Sequence, residues 1–161
     1  MSASPNKSVF KRGAWYVVVQ GILIGLILFG PQGFSLIKSE SIAIILQSCG
    51  IAIGLLSCVI MLIAAINLGK NLTPLPHPKD NSELIQTGLY QYVRHPIYFG
   101  VLLAALAWLL IFPRIYVLVY SICLFLLFDI KARREEVWLA ERFPIYKDYQ
   151  ARVKKLIPGI Y

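Results

Sequence analysis

Two short stretches of this 161-residue chain carry residue types that can do chemistry. Residues 88–100 read GLYQYVRHPIYFG. Pro96 keeps His95 out of helical geometry and itself suits the first turn of a helix, where its missing N–H leaves nothing unsatisfied. Arg94 and His95 therefore stand immediately before a helix whose free backbone N–H groups form an anion-binding position. Tyr98 and Gly100 fall in its first turns, and Gly100, lacking a side chain, lets a ligand or a neighbouring helix come close. Residues 129–143 read DIKARREEVWLAERF and set Lys131, Arg133 and Arg134 beside Glu135 and Glu136. A carboxylate there can serve as a general base, and a cation can orient an anionic group. Taken singly, each residue has an ordinary role. Arg94 can reach for the membrane interface, Tyr90, Tyr92 and Tyr98 can form an aromatic belt, and His95 can sit solvated in a loop. The Glu–Arg pairs are worth about 0.2–0.5 kcal/mol each on a solvated helix. The density of such residues before one helix is less easily dismissed.

The elements that position these residues are apolar. The chain is 58% hydrophobic and 15% charged, against about 45–50% and about 25% in soluble domains. That excludes an ordinary soluble domain, a disordered chain and a disulfide-stapled secreted module. It points to an all-α integral membrane bundle, one unit over residues 1–161 with no room for a second domain. Apolar runs cover 14–30, 42–66, 97–112 and 115–130. A spanning helix needs about 20 apolar residues, so the first two are spans. The last two are short and split by Pro113-Arg114; they read as spans that draw on flanking residues rather than as a hairpin that stops short. The expected fold is thus about four transmembrane helices with a C-terminal helical tail. The first run is not read as a cleaved signal peptide, for it lacks an A-x-A site.

The charges set the orientation. Lys7, Lys11 and Arg12 precede the first run; Lys70, Lys79 and Arg94 lie between the second and third; Lys131, Arg133, Arg134, Arg142, Lys147, Arg152, Lys154 and Lys155 follow the fourth. Only Lys38 and Arg114 fall on the opposite side. This asymmetry puts both termini, the 67–96 loop and the 131–161 tail in the cytoplasm. It also accounts for the net charge of +8 without nucleic acid. The loop opens with TPLPHP at 73–78, which the prolines hold extended. Cys49, Cys58 and Cys123 lie in apolar runs without metal-ligand spacing and are expected to be buried small hydrophobes. The closing VKKLIPGIY at 153–161 is expected to lie back on the membrane surface.

Three blocks in order carry a family resemblance: Asn67-Leu68-Gly69 with Pro74 and Pro76; Gly88, Tyr90, Arg94-His95-Pro96, Tyr98 and Gly100; and Glu135-Glu136 followed by Phe143, Tyr146, Tyr149, Val153 and Ile157-Pro158. Over roughly residues 67–158 the chain resembles the isoprenylcysteine carboxyl methyltransferase and phospholipid methyltransferase superfamily of integral membrane enzymes. The resemblance implies S-adenosyl-L-methionine as methyl donor, bound on the cytoplasmic side between the Arg94-His95-Pro96 segment and the Glu135-Glu136 helix. A lipophilic small molecule or prenylated substrate would arrive from among the membrane lipids. By carry-over, Tyr90, His95, Pro96, Tyr98 and Gly100 line the cofactor pocket, and Glu136 with Glu135 sits near the reacting centre. Carboxylate-methylating members often carry an arginine before the second glutamate, where this chain has Lys131, with Arg133 or Arg134 a step away. The family's Phe-Gly is here Phe143-Pro144, and its late basic position is Lys155.

Methyl transfer from a sulfonium is an in-line displacement that rewards alignment. A carboxylate acceptor needs no base but does need a cation such as Arg94, Lys131 or Arg133 to orient it. An amine acceptor needs a base such as Glu136. Both kinds of residue are present, so the mechanism does not choose between them; the family resemblance makes isoprenylcysteine-type carboxylate O-methylation the leading expectation, and a phospholipid amine or another lipid-soluble acceptor stays open. Membrane sterol reductases, which use NADPH, show a related RHP-x-Y-x-G pattern. They usually carry Asn after the Pro, where this chain has Ile97, and the Glu-Glu block argues against them. A small transporter or structural subunit would place a charge inside a span, and none lies within 14–30, 42–66, 97–112 or 115–128.

Overall fold

Proline and glycine punctuate the chain into helices. The computed structural model describes residues 13–73, 75 and 83–161. The basic residues Lys7, Lys11 and Arg12 and most of the proline-rich stretch, with Pro74, Pro76 and Lys79, lie outside the described residues. The helices are α1 (Ala14–Phe29), α2 (Glu40–Leu68), α3 (Pro96–Ile111), α4 (Ile115–Arg142) and α5 (Tyr146–Arg152). Short 3-10 turns cover Gly69–Asn71 and Gly88–Gln91. Three helices end two residues before a proline: the intervening Gly30, Phe112 and Phe143 all take extended or non-helical backbone, because a following proline disfavours the helical region. Pro96 opens α3, as the sequence predicts, with His95 non-helical before it.

Among the described residues there is no strand, only two isolated bridges. Ser35 pairs with Arg114 and Val93 with Lys154. The first ties the α1–α2 connection to the α3–α4 turn, through Leu36 N–H to Pro113 O at 2.8 Å and Ile115 N–H to Phe34 O at 3.1 Å. The second ties the segment before α3 to the segment after α5. The connections thus gather at two ends, and the candidate chemistry lies at one of them.

Two helices are long and apolar enough to cross a membrane: α2 with its following turn, and α4. Helices α1 and α3 have 16 residues each, about 24 Å of helix against a hydrocarbon core of about 30 Å. Helix α4 runs without a break past its apolar part through Lys131, Glu135 and Glu136. Helix α3 packs against α2 along a seam of small residues. Ser57 Oγ donates to Gly100 O at 2.8 Å, Gly54 faces Ala107, and a side chain at Gly100 would collide with Met61. In lipid, association depends on such close approach. Tyr16 and Ile27 of α1 join Ala105, Val117, Leu124, Leu127 and Phe128 in the buried core. The outer face of α2 exposes Ile44, Ile45, Ile51, Leu55, Leu62 and Ile66.

One expectation is corrected here. Cys49, Cys58 and Cys123 are exposed rather than buried, because they lie on the outward faces of apolar helices. One face of the closing segment packs on α4, while Ile160 is left exposed. Leu156 is fully buried, and Lys155 pairs with Asp129 and donates to the Tyr161 hydroxyl at 2.8 Å.

Candidate functional site

The start of α3, the extension of α4 and the whole of α5 converge on one buried ion cluster. Arg94 Nε donates to Glu136 Oε1 at 2.7 Å, with both side chains more than nine-tenths buried. The other end of the guanidinium donates to Gln150 O at 3.0 Å and to Val153 O. His95 Nε2 lies 3.2 Å from Glu136 Oε1, and Gln150 Nε2 donates to Glu136 Oε2 at 3.0 Å. Burial alone would push the Glu136 carboxyl up, but the hydrogen bonds and charge of His95 and Arg94 outweigh it and hold the group at about 2. Both Glu136 oxygens are thus committed. The backbone supports the same arrangement: Arg94 N–H donates to Lys154 O at 2.9 Å and His95 N–H to Lys155 O at 3.1 Å.

Glu135, one residue earlier on α4, faces elsewhere. Its Oε2 accepts the Tyr98 hydroxyl at 2.8 Å and lies 3.7 Å from His95 Nδ1. The rings of His95, Tyr98 and Phe128 stack in a row, with centroids 5.2 and 4.8 Å apart. Lys131 closes the far side. It is 1% exposed, its ammonium lies 4.9 Å above the Tyr98 ring, and it donates to Gln20 Oε1 of α1 at 2.8 Å. Burial pushes this ammonium down, opposed by the charge of Glu135.

Between these groups lies a cavity of about 410 Å³, within the range of about 300–1,000 Å³ usual for small-molecule sites. Tyr90, Arg94, His95, Tyr98, Lys131 and Glu135 line it, so six of the residues singled out in the sequence come together. Four others do not line it. Pro96 is buried at the α3 start, and Gly100 serves the α2 seam. Glu136 stands behind the wall, gripping Arg94 and His95. Arg133 points outward, paired with Asp129 at 2.8 Å and two-thirds exposed. The cavity also takes in Gln20, Asn71 and Glu83, to which the sequence assigned no role, and Tyr146 and Tyr149 of the third sequence block, which it did not place in the site. Gln20 had one legible signal, as a polar side chain inside an apolar run. Tyr149 braces the wall by donating to Tyr90 O; burial lifts its hydroxyl to about 12 despite the nearby Arg94. Asn67 Oδ1 accepts Leu89 N–H at 3.0 Å and fills the space beside Gly88, which sits at φ +62°. The first and second sequence blocks therefore meet as one piece of wall.

Residues 45–145, more than half of the chain, match the family described as phospholipid methyltransferase. The chain belongs to that family. It is also 32% identical over 103 residues to a Dictyostelium discoideum protein named Protein-S-isoprenylcysteine O-methyltransferase, covering 62% of this chain and 44% of that one. In fold it resembles the solved structure of the eukaryotic intramembrane Ras methyltransferase ICMT (isoprenylcysteine carboxyl methyltransferase). The TM-score is 0.64 at 20% identity, over 99% of this chain and 55% of that one. The chain thus spans about half the length of the relatives it matches. The family match takes in Arg94, His95, Tyr98, Lys131, Glu135 and Glu136. Gln20, Gln150 and Lys155 lie beyond it.

Proposed function

We propose that this chain is an S-adenosylmethionine-dependent membrane methyltransferase that O-methylates a carboxylate on a lipophilic, isoprenylcysteine-type acceptor. In this reading the chain is one unit that crosses the membrane four times, with 67–96 and 131–161 on the cytoplasmic face. The cavity suits such a donor. Its size is adequate, its wall pairs aromatic faces with the Glu135 carboxylate as a cation requires, and two buried polar atoms in it, Asn71 Nδ2 and Tyr146 OH, have no partner within the protein. Tyr90, His95, Tyr98, Tyr146 and Tyr149 would hold the donor. When bound, S-adenosylmethionine supplies an electrophilic methyl on a sulfonium.

The observation that carries the carboxylate assignment is the division of labour between the two buried cations. Arg94 is committed to Glu136, Gln150 O and Val153 O. Lys131 makes one hydrogen bond out of the three an ammonium can donate, so it retains donors for an acceptor carboxylate. Glu136 is a poor base: a carboxyl held near 2 has little drive to take a proton at neutral pH. That disfavours an amine acceptor dependent on Glu136. Arg94 and Glu136 act instead as positioning residues that fix His95 and Tyr98 in the wall. The sulfur-bearing donor and the acceptor are both charged, so the buried, largely apolar surroundings strengthen their attraction.

Titration calorimetry of the purified protein in detergent with S-adenosylhomocysteine and, separately, NADPH tests the donor class. Saturable binding of S-adenosylhomocysteine and none of NADPH is expected; binding of NADPH alone sinks the methyltransferase reading.

A further inference from the structure

Among the described residues, three buried side-chain polar atoms have no hydrogen-bond partner: Asn71 Nδ2, Trp108 Nε1 and Tyr146 OH. Buried polar groups are nearly always satisfied, so each exception asks for an explanation. Trp108 is partly buried and packs against the core, away from the cavity lining. The other two both line the cavity, and both are more than nine-tenths buried. They come from opposite parts of the chain: Asn71 closes the turn after α2, and Tyr146 opens α5.

Their chemistry is fixed by what surrounds them. Asn71 Oδ1 already accepts Glu83 N–H at 3.1 Å. That bond orients the amide, since only an oxygen can receive an N–H. The amino side of the carboxamide is left as a pure donor. Tyr146 is held by an edge-on contact with the Tyr149 ring at 5.8 Å. Burial, reinforced by the negative charge of Glu136 and Glu135, keeps its hydroxyl protonated. The neighbouring Arg94 and Glu136 are spent on each other, so neither can serve it.

From these two orphaned donors we infer that Asn71 and Tyr146 are ligand-binding residues that donate to lone-pair oxygens, carboxylate or hydroxyl, on the polar part of the methyl donor. This rests on reading the cavity as the methyl-donor site. It assigns the polar part of the donor to the portions of the cavity lining supplied by the turn after α2 and the start of α5.

The test separates donation from support. Asn71→Asp keeps an oxygen that accepts Glu83 N–H and exchanges the donor for a repelling, negatively charged acceptor. Tyr146→Phe removes only the hydroxyl. Calorimetric titration with S-adenosylhomocysteine, alongside melting with and without it, reads both. Wild-type protein is expected to bind; Asn71→Asp loses at least about tenfold in affinity and Tyr146→Phe about three- to tenfold. Tyr146→Phe without ligand should melt no lower than wild type, because the hydroxyl has no partner to lose, and its ligand-induced rise in melting temperature should shrink. Wild-type binding with unchanged affinity in both variants overturns this inference and leaves the methyl-donor reading standing. Absence of wild-type binding removes both.

Discussion

A carboxyl held near pH 2 is an anchor, not a proton acceptor, and that distinction decides how Glu136 is used. Its folded-state value of about 2 lies below the ordinary 4.5. The stability it contributes is therefore fully present above about pH 4.5 and is lost as pH falls through about 2. Glu136→Gln should flatten that acid limb in melting curves taken across pH 2–5; identical limbs in both proteins would contradict the anchoring role. At neutral pH the same variant leaves Arg94 buried without its charge partner, a loss of about 3–5 kcal/mol, and methyl transfer should fall at least about a hundredfold. The sequence made the Glu135-Glu136 pair legible as part of the site but not the separate task of each. Consecutive residues on a helix point about 100° apart, and only the packing of α3 and α5 against α4 decides that Glu135 meets the cavity while Glu136 meets Arg94.

At the level of elements, the tail is part of the site. Val93 pairs with Lys154, and the N–H groups of Arg94 and His95 are received by Lys154 and Lys155. Lys155 in turn is held by Asp129 and Tyr161, while Tyr161 donates to Asp129 at 2.8 Å. Lys155→Met should loosen this docking, and hydrogen exchange should quicken at the amides of residues 93–95 while α2 stays unchanged. Equal exchange at 93–95 in both proteins would show that the tail does not hold the segment. Helix ends were readable because a proline marks them: Pro31, Pro96, Pro113 and Pro144 each act locally. The docking of the tail was not, since nothing near Lys154 in sequence announces a partner near Val93.

For the molecule as a whole, an apolar shell surrounds a cavity that carries a few charged and polar side chains in its wall, near one end of the bundle. The hydrophobic runs announced the shell. The cavity needed tertiary contact, since Gln20, Asn71 and Tyr146 reach it from three distant elements. The charge asymmetry predicts which end is cytoplasmic. In a variant with Cys49, Cys58 and Cys123 replaced by Ala, an impermeant maleimide added to intact cells should label Lys38→Cys and not Lys147→Cys; the reverse pattern would invert the topology.

The most direct test of the central claim is methyl transfer itself. The purified protein in lipid nanodiscs is supplied with methyl-labelled S-adenosylmethionine and offered both N-acetylated farnesylcysteine and an ethanolamine phospholipid, and the products are treated with alkali. Carboxylate methylation at the Lys131 end of the cavity predicts label on the farnesylcysteine that alkali releases as methanol, with Lys131→Met raising KM for that acceptor. Alkali-stable label on the phospholipid amine, with none on the farnesylcysteine, would contradict it.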